Sequence, residues 1–485
     1  MTFLDSSRWD SKIYVDGWRE ATGGTQDVLE PATGAVLGHV GVASAADVRR
    51  AATRAAQAQP EWAAMRPEER AAVLRRAGQL WEDHAGEIQG WIIRESGGIE
   101  SKAGLETHTA ANECYEAAAL PSHPAGEVLT SNEDRWSFAR RRPSGVVSVI
   151  APFNFPLILS IRSVAPALAL GNSVLLKPDP RTAVSGGVTL MRVFEEAGLP
   201  AGVLSLLPGG AETGAAVVEA PEVRVVSFTG STAAGRKVGE SAARLLKRAH
   251  LELGGNNALV VLPGTDVAKA ASAGAFGSFM HQGQICMTTG RHFVHDSLYE
   301  DYVAALAQKA EHLLVGDPAG GQVALGPIID EKQLNHIHAL VEEAVQAGGR
   351  LPAGGTHEGL FYRPTVLADL ALDNPAFAQE IFGPVAPVTR FSTLDEVVEM
   401  VNANDYGLAV GILGDVGAAM KLADRISSGK IHINEQTVAD EANAPFGGVG
   451  ASGTGSRFGG ATANIEAFTE VQWLTMRPGI APYPF

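Results

Sequence analysis

From Gly145 onward the chain repeats one pattern: a short, continuous apolar run, a turn rich in Gly, Pro or Ser, then a longer segment of helical periodicity. The runs are Val146–Ile150, Ser173–Lys177, Val203–Leu207 and Val225–Phe228, with helices expected up to Ala169 and near 184–198. Strands that are apolar on both faces belong to a parallel sheet covered by helices on each side. The pattern therefore predicts an α/β protein with Rossmann-like parallel sheets. In such sheets ligands sit in the crevice outside the carboxyl ends of the strands. That rule points to the loop Ala151-Pro152-Phe153-Asn154-Phe155-Pro156, to Lys177, and to the turn after Phe228.

A chain of 485 residues is too long for one ordinary core and implies two or three domains. Lys and Arg total 38 against 54 Asp and Glu, a formal net charge of −16, which argues against a nucleic-acid partner. Two cysteines cannot form a disulfide framework and fit a reducing compartment. Met1-Thr2-Phe3-Leu4-Asp5 lacks a basic segment followed by an apolar one, and no uncharged apolar run reaches the ~18 residues of a membrane span. The expectation is a cytoplasmic protein with no membrane partner. Residues 11–45 read as hairpin strands, and 44–119 as alanine-rich helices with Ser44 capping the first. Glu127 to Arg142 reads as an exposed β-hairpin whose final Arg140-Arg141-Arg142 forms a solvated face.

Four places carry chemistry. After Phe228, Thr229-Gly230-Ser231-Thr232-Ala233-Ala234-Gly235-Arg236-Lys237 opens a helix, whose N-terminal N–H groups and dipole suit a phosphate. Arg-Lys stands where a P-loop needs Lys-Ser/Thr, and the G-x-G-x-x-G fingerprint is absent, so an ordinary packed turn is the alternative. Lys177, which ends a strand before Pro178, reads either as a surface residue or as a ribose ligand. Glu252, between Leu251 and Leu253-Gly254-Gly255, is placed where desolvation would raise its pKa into the range of a general base; a strand-end ion pair is the alternative. Cys286, in His281-Gln282-Gly283-Gln284-Ile285-Cys286-Met287, sits in a turn and carries the best neutral-pH nucleophile. Cys114 lies in a helical stretch, where a small buried hydrophobe is expected.

Taken in order, these pieces resemble the NAD(P)-dependent aldehyde dehydrogenase family over essentially the whole chain. The motifs are Phe153-Asn154-Phe155-Pro156, Lys177-Pro178, Phe228-Thr229-Gly230-Ser231, Glu252-Leu253-Gly254-Gly255, Gly283-Gln284-Ile285-Cys286, Glu380-Ile381-Phe382-Gly383-Pro384, and Pro445-Phe446-Gly447-Gly448 with Ser452-Gly453. His281–Met287 and Asn434-Glu435-Gln436-Thr437-Val438 look most like the bacterial benzaldehyde and vanillin dehydrogenases. The resemblance implies that Cys286 attacks an aldehyde, Asn154 and the Cys286 N–H hold the oxyanion, and Glu252 activates water to hydrolyse the thioester. It further implies NAD, or NADP, held by Gly230, Ser231, Lys177, Glu380 and Phe382, with Ile150, Pro152 and Gly254 lining the cleft. No metal is implied.

Two positions depart from the family. Pro180 stands where NAD-preferring members often carry a glutamate; Asp179 could replace it and Arg181 could meet a 2′-phosphate, which leaves the coenzyme open. Arg162 stands where many members place an aromatic residue; it either binds a phenol or carboxylate on the substrate or pairs with an acid of the fold. With Phe155, Ile285, Met287, Val438 and Phe446 it makes the expected substrate pocket, for an aromatic aldehyde. A carboxylated aliphatic semialdehyde is the alternative substrate. Glu252 argues against a CoA-acylating relative, and the presence of Cys286, Glu252 and Asn154 together argues against an inert binding protein. The expected domains are a dinucleotide-binding unit (1–122 and 143–253), a catalytic unit (254–440), an active-site loop returning to the nucleotide unit (441–460), and a bridging arm (123–142 and 461–485). The strand-like tail Ala467–Leu474 would leave an unpaired edge on a monomer, so a homodimer or homotetramer is expected.

Overall fold

A computed structural model describes residues 2–485; Met1, where the expected nucleotide-binding unit begins, lies outside the described residues. The strand–helix alternation builds two seven-stranded sheets. The first runs, in spatial order, Arg248–Glu252, Val223–Thr229, Val146–Ile150, Ser173–Lys177, Leu204–Leu206, Lys12–Tyr14, Trp18–Glu20. Its first five strands are parallel and the N-terminal hairpin is added antiparallel at the far edge. From Val146–Ile150 the chain moves outward through two strands, then returns to place Val223–Thr229 on the opposite side of the starting strand. Strand order reverses there, and the diverging loops open a crevice at the carboxyl ends. Ile150 stands at that end, in register with Lys177 on one side and Phe228 on the other.

The helix Pro156–Ala169 follows directly from the Asn154 loop and is buried at every position. A helix apolar on all sides has to be packed on all sides. Pro156 occupies its first turn, where a missing N–H costs nothing, and Phe155 at the cap position contributes no side-chain bond. The free N–H groups are taken from outside. Glu106, on the helix Glu100–Ala119, accepts from Leu157 N at 3.0 Å and Ile158 N at 3.4 Å. Glu106 is itself paired with Lys102 one turn earlier, and both side chains are buried. Ser44 caps Ala45–Ala64 in a full capping box with Asp47. The segment near 184–198 is helical, but it begins as a π turn, Val184–Val188, before Thr189–Glu196 becomes α-helical.

Between Glu252 and Asn257 the chain crosses to the second sheet, ordered Arg350–Ala353, Thr365–Ala368, Val385–Phe391, Thr289–His295, Asn257–Val261, Ala409–Leu413, Lys430–Ile433. All but its first strand are parallel. A third sheet joins Gly126–Leu129, Trp136–Pro143 and Thr469–Met476, with Arg140 and Arg141 bonded across to Gln472, Glu466 and Thr469. The arm expected from 461 starts later. Ala461–Phe468 is a helix whose apolar positions recur every three to four residues; Ala467 and Phe468 join Phe458 in the core beneath the first sheet, and the strand begins at Thr469.

Candidate active site

Cys286 follows a backbone segment that is hard to form. His281 and Gln282 have φ of 46° and 56°, and Gly283 has 65°, where an added Cβ would meet Gly383 O at 2.0 Å. Non-glycine residues adopt such angles only when the surroundings over-determine them. Here Gln282 Nε2 donates to the carbonyls of Gly97 and Pro327, both at 2.9 Å, and Gln284 Oε1 accepts from Ile329 N at 3.1 Å. Asn257 Nδ2 then donates to the carbonyls of Cys286 and Thr288 at 2.8 and 2.7 Å, and Thr437 Oγ1 donates to Met287 O at 2.6 Å. The Cys286 backbone is held from both sides.

Two cavities meet at this residue, and Cys286, Asn154 and Leu159 line both. The smaller, of about 460 Å³, is bounded by Phe155, Arg162, Ile285, Met287, Val438 and Phe446. All six expected substrate-pocket residues are therefore brought together. The larger, of about 900 Å³, lies at the strand-order reversal and is lined by Ile150, Pro152, Lys177, Asp179, Gly230, Ser231, Gly254, Glu380 and Phe382. Both volumes fall in the range of small-molecule and cofactor sites.

Asn154 Nδ2 donates to Gln284 O at 2.9 Å, which brings its amide beside the Cys286 turn. Burial pushes the Cys286 thiol up to about 12, with the Lys430 ammonium acting the other way. Cys114 is fully buried, as expected. Glu252 lines neither cavity. It is 3% exposed; Oε2 accepts from Gly448 N at 3.3 Å and Oε1 has no partner among the described residues. Burial raises its carboxyl well above the ordinary range, with Arg457 opposing. The segment that supplies Gly448 is stitched to the first sheet through Leu253 N to Ser452 O at 2.9 Å. Of the two readings of Glu252, desolvation is the one observed.

In the larger cavity, Ser231 caps the helix Thr232–Arg244 and its Oγ accepts from Ala234 N. Gly230 lines the same cavity. Its N–H donates to Glu252 O at 3.0 Å, and what its missing side chain provides is room, since a Cβ would lie 2.7 Å from the Phe228 ring. Gly254 likewise admits Glu380, whose carboxylate a Cβ would strike at 2.1 Å; Glu380 accepts from Gly255 N at 2.9 Å, and burial pushes its pKa up to about 7. Arg181 is bound by both oxygens of Asp179 at 2.9 Å and by Asp330 at 2.7 Å, with its guanidinium 4.2 Å from the Phe153 ring centroid.

Arg162 pairs with acids of the fold and also lines the smaller cavity. It donates to Glu113 at 3.2 Å and to Asp440, yet lines the smaller cavity with its Cζ 4.7 Å from the Phe446 centroid. The residues not foreseen are Asn257, Thr437, Gln282, Gln284, Glu113, Asp440 and Lys430. The pair Asn256-Asn257 ahead of an apolar strand was the one available signal, since buried amides need partners. No group of three or more His, Cys, Asp or Glu able to hold a metal occurs among the described residues, and no described helix is long and apolar enough to cross a membrane.

Residues 18–474 match the aldehyde dehydrogenase family. The chain is 64% identical to a vanillin dehydrogenase from Amycolatopsis sp., covering 100% of both chains, and 47% identical to the benzaldehyde dehydrogenase [NAD(+)] of Pseudomonas putida over 98% of each. Among solved structures, a salicylaldehyde dehydrogenase from Pseudomonas putida G7 in complex with salicylaldehyde superposes with a TM-score of 0.94 at 34% identity, covering 98% of this chain and 99% of that one. A match of this extent, on a fold that sets a cysteine between two cavities, makes the chain an NAD(P)-dependent member of the aldehyde dehydrogenase family.

Proposed function

We propose that the protein oxidises aromatic aldehydes of the benzaldehyde and vanillin type to carboxylic acids, with NAD⁺ preferred over NADP⁺. The observation that carries the reading is the wall of the smaller cavity, where Phe155, Ile285, Met287, Val438 and Phe446 give a flat, polarizable lining next to Cys286. The names of the full-length relatives agree with it. In this reading the Cys286 thiol gives its proton to solvent, Sγ attacks the carbonyl carbon, and the oxyanion of the thiohemiacetal is held by the second Asn154 amide proton and the Cys286 N–H. The larger cavity fits a dinucleotide, with Ser231 at a helix N-terminus for the pyrophosphate and Lys177 and Glu380 for the two riboses. The coenzyme, when bound, supplies the hydride acceptor. Glu252 takes a proton from water, which hydrolyses the thioester and frees the acid.

The coenzyme preference follows from Arg181, whose charge is already shared by Asp179 and Asp330. A guanidinium so held is not free to fork onto a 2′-phosphate. A semialdehyde substrate is favoured only by the basic groups Arg162 and Lys430; the apolar residues of the wall and the acids Asp440, Glu435 and Glu441 oppose it. Initial rates with benzaldehyde, vanillin, acetaldehyde and succinic semialdehyde, with each coenzyme, test both points. The expected kcat/KM is at least about tenfold higher for the aromatic aldehydes, a ratio that ~1.4 kcal/mol provides. Succinic semialdehyde as best substrate would overturn the aromatic reading, and faster turnover with NADP⁺ would overturn the coenzyme assignment.

A further inference from the structure

The smaller cavity contains a cation, Lys430, to which the reading above gives no role toward the substrate. Lys430 begins the edge strand Lys430–Ile433 of the second sheet, and its Nζ donates to Ala439 O at 2.9 Å, touches Met287 Sδ, and stands 4.6 Å from the Phe446 centroid. Arg162 reaches the same ring from the helix Pro156–Ala169, at 4.7 Å. One of the Lys430 protons is taken by a carbonyl and the thioether is a weak acceptor. The Nη1 of Arg162, a side chain only 3% exposed, is buried without a hydrogen-bond partner among the described residues. Burying a cation beside apolar side chains is costly unless something offsets it.

The acids around the cavity offset it only in part. Asp440 bonds Arg162 directly and also faces Lys430. Glu113 is the other partner of Arg162; burial raises its carboxyl, and the guanidinium beside it acts the other way. Glu435 and Glu441 line the same cavity but are exposed to water, which screens them. His432 contributes no positive charge at neutral pH, because burial lowers its pKa. The buried part of the wall therefore keeps unspent N–H donors on Arg162 and Lys430 next to an aromatic surface, although burial lowers the Lys430 pKa.

We propose that Lys430, together with the free Nη1 of Arg162, forms an oxyanion subsite that binds the ring hydroxyl of a hydroxylated benzaldehyde as its phenolate. The inference rests on the aromatic reading and deepens it by naming the charge state of the substrate. A hydroxyl conjugated with a formyl group is more acidic than the ordinary phenol near 10, because the carbonyl withdraws charge through the ring, and nearby cations favour the anion further. The step is an acid dissociation: the proton goes to solvent and the O–H electron pair stays on the ring oxygen. Left free, that charge would delocalise onto the aldehyde and blunt attack by Cys286. Cations at the ring oxygen keep it there and keep the carbonyl electrophilic.

The test uses Cys286→Ala enzyme, which binds the aldehyde without reacting. Bound 4-hydroxybenzaldehyde is expected to show the long-wavelength absorption of the phenolate at a pH where the free compound is still the phenol. Adding Lys430→Met should remove that band and Lys430→Arg should keep it. In enzyme with Cys286 intact, Lys430→Met should lower the kcat/KM ratio of 4-hydroxybenzaldehyde to 4-methoxybenzaldehyde about tenfold, through KM. The ratio cancels any effect of the lysine on the shared nucleophile. A neutral-phenol spectrum in the bound state overturns the proposal. So does an equal loss with both substrates, which would mean that Lys430 acts on Cys286, and so does a preference for 4-carboxybenzaldehyde over the hydroxyl compound. Failure of the aromatic reading itself would show separately, as succinic semialdehyde outrunning every aryl aldehyde in the wild type.

Discussion

Glu252 has one carboxylate oxygen on Gly448 N and the other without a partner among the described residues, in surroundings that favour the neutral acid. A base must first lose its proton. Because burial raises this pKa, the base form grows as pH rises, so the rate of acid release should fall below the raised value and recover as pH climbs through it. Glu252→Gln should still give one equivalent of reduced coenzyme in a stopped-flow trace and then stall, with steady-state turnover down at least about a hundredfold. Cys286→Ala should give no burst while still binding coenzyme. No burst from Glu252→Gln would mean that the glutamate acts before hydride transfer. Glu252 was legible in the sequence because one charge among leucines and glycines is conspicuous. Asn257 and Thr437 were not, since the carbonyls they hold lie 29 and 150 residues away. Lys430 was hidden for another reason: a lysine at the start of an edge strand reads as solvated, and only the returning Pro445–Gly448 segment puts Phe446 against its ammonium.

At the scale of elements, the helix Pro156–Ala169 ends where its apolar pattern ends, and the strands around it fall where continuous apolar runs place them. What the local pattern omits is how its first turn is satisfied, because Glu106 is 51 residues from Leu157. This cap sits directly after Asn154, the residue proposed to hold the oxyanion, so it fixes part of the candidate site as well as the fold. Removing its carboxylate leaves two buried N–H groups and the Lys102 ammonium without their partner. Glu106→Ala should therefore destabilise the protein by about 3–5 kcal/mol, read as a lower midpoint in chemical denaturation. Lys102→Met added to Glu106→Ala should recover part of that loss, because an uncompensated buried charge costs more than its absence. A double variant no more stable than the single one would show that the ion pair is not what the cap depends on.

At the scale of the whole molecule, the two large sheets are closed over by helices, while the three-stranded sheet is not. Its strands expose Val128, Trp136 and Trp473, each more than 60% accessible, together with Val471 and Met476. Thr469–Met476 pairs on one side with Trp136–Pro143 and has no strand on its outer side among the described residues. An eight-residue edge that exposes Val471, Trp473, Leu474 and Met476 invites pairing or aggregation unless something covers it. The alternation in Ala467–Leu474 made the strand legible, but not the point where it starts: Ala467 and Phe468 are the last residues of a core helix, and the same apolar residues satisfy both patterns over so short a stretch. We propose that a second copy of the chain covers this sheet, as a homodimer or a dimer of dimers. Deleting from Ala461 would tear Phe468 out of the core, so the informative variant leaves the strand in place. Val471→Glu with Trp473→Glu puts two charges on the exposed positions without removing a backbone bond. Light scattering should then report a smaller assembly, a monomer in place of a homodimer or a dimer in place of a tetramer, at a thermal midpoint lowered by the lost association. An oligomer of unchanged mass in the double variant would rule out this face as the contact.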